Sequence, residues 1–197
     1  MGVSSHGMTP WKPILLRSAT AAAFGILTVF WQGPGINVLS VAGGLYLLLT
    51  AVSVWRMSIL AGVSGEPRIR TLQLLEAAVY ALAGVAVLAL RSVEAFCAAA
   101  GIALALGGAV ELFLWLRSRS TFLPARDWLI TGVVSLGAAI ILVAVQVMDL
   151  GAQAMLGVTG GSALIIAVML ATSGLGARFD ARSAGSTDPA AAGRQKP

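Results

Sequence analysis

One cysteine, one histidine and a charged fraction of 11% are the scarcities that shape this sequence of 197 residues. With Cys97 alone, an intrachain disulfide and a thiolate metal cluster are both excluded. His6 sits by itself in a polar N-terminal stretch, so no Ser-His-Asp or Cys-His set can be assembled, and no metal-ligand spacing occurs. Gly160-Gly161 lacks the preceding strand that a phosphate-cradling loop needs. These absences predict a non-enzymatic chain without cofactor or metal.

What fills the sequence is apolar. It is 58% hydrophobic with mean hydropathy +0.90, whereas a soluble domain carries about 25% charged residues. A helix needs roughly 20 apolar residues to cross about 30 Å of hydrocarbon. Six such runs are read at about 14–31, 36–55, 72–90, 95–116, 128–148 and 152–175. Strands are disfavoured, because the runs show no alternation of period two and every backbone group must be satisfied inside lipid. A cleaved signal peptide is disfavoured as well, since Val29-Phe30-Trp31-Gln32 is bulky where cleavage needs small residues.

Punctuation groups the runs into three hairpins. Gln32-Gly33-Pro34-Gly35, Arg91-Ser92-Val93-Glu94 and Asp149-Leu150-Gly151 are short tips, while Arg56–Arg70 and Arg117–Asp127 are longer polar links. Residues 1–10 form a polar N-terminal segment, 11–177 the transmembrane domain, and 178–197 a tail too poor in apolar residues to order, expected to be disordered and cytoplasmic. Of the 13 Lys and Arg residues only Arg91 falls at a tip. The positive-inside rule then places both termini and both links in the cytoplasm. Trp11, Trp31, Trp55, Trp115 and Trp128 lie near span ends, where interfacial aromatics belong. The net charge of +5 and pI near 10.4 are explained by this topology, with no nucleic-acid partner required.

A weak internal repeat accompanies the hairpins. Arg17 stands eight residues before Gly25, Glu76 eight before Gly84, and Leu129 eight before Gly137, while Gly44 through Thr50 and Ala51 parallels Gly101 through Gly107 and Gly108. The first copy, Trp11-Lys-Pro-Ile-Leu-Leu-Arg17 through Phe24-Gly25-Ile26-Leu27 and Phe30-Trp31, then Gly44-Leu45-Tyr46, resembles the HdeD-like acid-resistance membrane proteins. The resemblance covers about residues 11–175 and implies a bacterial inner-membrane protein of six helices, linked in some members to acid stress and without established enzymatic chemistry. The acidic residue common in that family's even helices is replaced here by Thr50 and Gly107.

Arg17, Glu76 and Glu111 are the ionisable residues expected inside spans. An unpaired charge at the bilayer centre costs about 2.5–3.5 kcal/mol on insertion scales, so each should face the bundle interior, pair or snorkel. All three fall near the cytoplasmic face. Two readings stay open at this point: structural pairing with snorkelling, or a proton-sensitive site in which Arg17 pairs with one Glu while the other exchanges a proton. Helix packing is expected to use small residues, chiefly Gly25, Gly84, Gly108 and the pair Gly157 and Gly161 in GxxxG spacing. Cys97 is read as a small apolar filler. The expected surroundings are the lipid bilayer and, through helix faces, a second copy or a larger membrane complex. Three roles remain: an HdeD-like protein of acid or envelope stress tolerance, an accessory subunit, or a small transporter.

Overall fold

The computed structural model describes residues 11–63, 67–118 and 125–185. These form six helices: α1 Trp11–Phe30, α2 Ile36–Val63, α3 Pro67–Leu90, α4 Val93–Ser118, α5 Ala125–Val147 and α6 Gly151–Gly185. No strand occurs among the described residues. All six helices contain stretches long and apolar enough to cross a bilayer. The chain is an all-α, multi-pass membrane protein.

The helices outrun the apolar runs that announce them. Arg56 through Val63 continues α2, and α3 begins at Pro67, a residue whose fixed φ and missing N–H suit the first helical position. Hydropathy marks where hydrocarbon ends, while helical hydrogen bonding continues into the interface. The same difference corrects the expected tail boundary, because residues 178–185 extend α6 rather than beginning an unstructured segment. Extending a formed helix fixes one residue per new hydrogen bond, Ala and Arg are good helix formers, and the Arg178 guanidinium lies 5.4 Å from the Trp11 ring centroid. Residues 1–10, 64–66, 119–124 and 186–197, with the expected N-terminal segment, parts of both links and the rest of the tail, lie outside the described residues.

The three tips are tight. The α3–α4 turn places Arg91 at φ +46°, with the Arg91 Nε donating to the Leu88 carbonyl at 3.2 Å and the Ala95 amide donating to Ser92 Oγ at 3.0 Å as an N-cap. At the α5–α6 turn the Leu150 amide reaches back to the Val145 carbonyl at 3.2 Å, closing the helix end.

Short tips join helices that are not the closest packing partners. The most extensive interfaces are α2–α3, α4–α5 and α1–α6, and the last of these brings the first helix against the final one. Each is centred on a pair of facing glycines. A Cβ on Gly44 would lie 3.1 Å from the Gly84 carbonyl oxygen, and one on Gly84 would lie 2.9 Å from that of Gly44. Gly108 and Gly132 face each other in the same way at 2.8 and 2.9 Å, and Gly25 meets the Gly160 carbonyl at 2.9 Å. Helices associate in lipid by such close backbone approach, because apolar surface gains nothing there by hiding from tails as apolar as itself. The side chain one turn on then covers the partner glycine: Leu88 over Gly44, Leu48 over Gly84, Leu136 over Gly108, Leu112 over Gly132, Leu164 over Gly25 and Thr28 over Gly160.

Between these interfaces lies an interior of large side chains, including Leu39, Tyr80, Phe96, Leu142 and Met155, with Phe96 occupying the space that Gly43 leaves open. Tyr46 stacks on Phe24 with ring centroids 4.3 Å apart and planes 8° from parallel, tying α2 to α1. Exposed apolar residues such as Val29, Leu82, Ile102, Ile140 and Val168 cover the outside, where acyl chains surround them.

Candidate functional site

Because successive helices run in opposite directions, α1, α3 and α5 begin at the end of the bundle where α2, α4 and α6 finish. Arg17, in the second turn of α1, therefore meets Glu111, two turns before the end of α4. Arg17 Nη1 donates to Glu111 Oε1 at 2.5 Å. Glu111 is 1% exposed and the Arg17 side chain 14%. Glu76 of α3, 3% exposed, lies within the electrostatic reach of both. All three ionisable residues singled out in the sequence thus converge at one level.

They converge on a cavity of about 30 Å³ to which all six helices contribute wall. Pro13, Ile14 and Arg17 come from α1, Ser53, Val54 and Met57 from α2, and Gln73 and Glu76 from α3. Glu111 comes from α4, Asp127, Trp128 and Thr131 from α5, and Leu170 from α6. Three acceptor oxygens on residues lining it have no hydrogen-bond partner among the described residues: Gln73 Oε1, Glu76 Oε1 and Glu111 Oε2. Leaving a buried acceptor unsatisfied costs about 1–3 kcal/mol, and more when it is charged. Three at one cavity make it a place that attracts donors or cations. A space of this size holds one or two water molecules, not an organic solute.

Two members were not among the sequence-derived candidates. Gln73, 2% exposed, precedes Glu76 by three residues, so both project from one face of α3. Asp127, in the first turn of α5, accepts a 2.6 Å hydrogen bond from Ser173 Oγ and so joins α5 to α6 beside the cavity. By sequence Asp127 falls in the link Arg117–Asp127 and Gln73 at the start of the run 72–90; the i, i+3 spacing of Gln73 and Glu76 is the usable signal. Tyr80, one turn beyond Glu76, is fully buried against Gly107 and feels the charges of Arg17, Glu76 and Glu111.

The candidate packing glycines divide. Gly25, Gly84 and Gly108 stand at the three close interfaces. Gly157 and Gly161 have open space where a Cβ would sit, and in α6 the contact falls on Gly160. The repeat positions Gly101 and Gly137 likewise face open space, the contacts falling on Gly108 and Gly132. Cys97 is buried, its Sγ 3.5 Å from the Leu142 carbonyl of α5.

Chemically, the site combines charge with enclosed space. Among the described residues no group of three His, Cys, Asp or Glu side chains is placed to hold a metal ion, and Glu76 and Glu111 are the only buried acidic side chains. One guanidinium faces two carboxylates, so full charge balance requires one further positive charge. No known protein family, curated protein or solved structure matches this chain.

Proposed function

We propose that this chain is a non-enzymatic protein of the bacterial inner membrane, with both termini cytoplasmic, whose functional centre is a proton-exchanging site formed by Arg17, Glu76 and Glu111. The observation that carries this reading is the imbalance of the cluster: Arg17 is engaged by Glu111, and Glu76 stands buried beside them without a cation of its own among the described residues. A proton is the smallest charge that restores neutrality. The distribution of basic residues supports the orientation, which sets the site near the cytoplasmic surface. A role in acid or envelope stress tolerance, as the resemblance to HdeD-like proteins implies, fits a centre that responds to cytoplasmic acidification. The test is survival at low pH of a deletion strain complemented with wild type, Glu76→Gln or Glu111→Gln. Wild type restores survival and the variants do not; equal rescue by all three removes the carboxylates from the function.

A second reading, an accessory subunit or self-associating protein, is favoured by one observation. Gly157 and Gly161 lie on an exposed face of α6 with Ile165 and Val168, and a Cβ added at either would meet no atom of the described residues within 4 Å. A small-xxx-small face left unused within the chain suits a neighbouring helix. Mass measurement in mild detergent, with Gly161→Leu as the comparison, tests it. A larger species that Gly161→Leu disrupts supports the reading, and a monomer in both contradicts it. The size of the cavity disfavours transport of anything larger than water or a small ion.

A further inference from the structure

The cavity carries more unsatisfied oxygen than one proton can serve. A proton on Glu76 or Glu111 gives a single donor, yet three acceptor oxygens on residues that line the cavity lack partners among the described residues, and one of them belongs to Gln73, which is neutral and 2% exposed. An amide oxygen buried without a donor in a space of about 30 Å³ is accounted for by a ligand that coordinates several oxygens at once. We infer that this cavity binds a small monovalent cation, of the size and charge of Na⁺, held by Gln73, Glu76 and Glu111 in competition with the proton. The inference rests on the proton-exchanging reading of the same site.

The surrounding charges fix the valence. Arg17 of α1 offsets one carboxylate, and Glu76 and Glu111 together leave one negative charge over. Asp127 of α5 is already engaged, accepting from Ser173, and among the described residues it does not join Glu76 and Glu111 as a third acidic ligand. The groups facing the cluster from α2 and α3 are the phenols Tyr46 and Tyr80, and α6 contributes Leu170 and Ser173 without charge. A single positive charge balances this set, whereas a divalent ion leaves an excess and lacks the third acidic ligand it usually takes. Hard oxygen ligands and a small cavity select a small, hard cation. Glu111, which lines the cavity, would bridge the two cations, one oxygen on Arg17 and the other without a hydrogen-bond partner among the described residues.

The experiment follows intrinsic fluorescence of the purified full chain in neutral detergent, Trp128 being part of the cavity wall. A pH titration in choline chloride is repeated in NaCl at equal ionic strength, and the melting temperature is recorded in both salts. One-for-one competition lowers the midpoint of the titration by about one pH unit for each tenfold rise in saturating Na⁺, and Gln73→Leu abolishes that displacement. Identical curves in NaCl and choline mean a hydrated proton site only, and overturn the cation. A displacement retained in both Gln73→Leu and Glu76→Gln places the ion elsewhere and overturns it too. A flat titration in choline contradicts the proton reading, and the cation is then judged by melting alone: a higher melting temperature in NaCl supports the site, and equal temperatures contradict it.

Discussion

Arg17 and Glu111 lie 94 residues apart in the chain and meet at 2.5 Å, the sole ion pair among the described residues that joins α1 to α4. A buried pair is rarely a large net stabiliser, but removing one partner strands the other, at a cost of about 3–5 kcal/mol. Arg17→Leu should therefore lower stability by about that amount, and Glu111→Leu should do the same. The double variant should recover much of the loss, which denaturation in mixed micelles measures as a coupling energy. Additive losses would mean that the pair is energetically inert.

The facing glycines predict a position-specific tolerance to bulk. Gly84→Val or Gly132→Val inserts methyl groups against the Gly44 or Gly108 carbonyl and should cost at least about 1–3 kcal/mol, the usual range for overpacking. Gly101→Ala and Gly137→Ala, where a Cβ meets open space, should be neutral or slightly stabilising, since Ala is the better helix former by about 1 kcal/mol. Thermal melting of the four variants reads the contrast.

Trp11 holds Lys12 at 5.7 Å and Arg178 at 5.4 Å from its ring. A cation over an indole contributes about 0.5–1 kcal/mol at an exposed site. Trp11→Leu should cost about that much and increase hydrogen exchange in the last turns of α6. Truncation after Leu175 should produce a similar loss, and truncation after Gly185 should not.

Topology has a direct readout. In a Cys97→Ala background, single cysteines at Gly65, Ser120 and the C-terminus should react with an impermeant thiol reagent only after the membrane is opened from the cytoplasmic side. One at Gly33 should react from outside in intact cells. Reversed labelling would invert the orientation on which the proposed cytoplasmic access depends.

Most of the architecture was legible because lipid imposes a length and a composition on each span, and hydropathy reads both. Hydropathy is less able to find helix ends: Arg56 at the start of the 56–63 stretch and Arg178, Asp180 and Arg182 in residues 178–185 interrupt the apolar pattern, yet both stretches are helical, and the charges there report the interface rather than the backbone. Arg17, Glu76 and Glu111 were legible because a charge inside a span is costly and so conspicuous. Gln73 was not, since an uncharged amide near a polar link raises no alarm until its three-residue spacing from Glu76 is noticed. The GxxxG of Gly157 and Gly161 shows the converse, because spacing alone does not say which way a helix is turned. Stronger information lay in the G-x-x-x-L spacing of Gly44-Leu48, Gly84-Leu88, Gly108-Leu112, Gly132-Leu136 and Gly160-Leu164, the pattern that the close interfaces use.

The proton-exchanging centre is tested most directly by infrared difference spectroscopy of the full chain in lipid, stepping the pH between neutral and mildly acidic. The account predicts a carboxyl C=O band that grows as pH falls, shifts in heavy water and disappears in Glu76→Gln while surviving in Asp127→Asn. A spectrum without a pH-dependent carboxyl band, or one that Glu76→Gln and Glu111→Gln both leave unchanged, would contradict it.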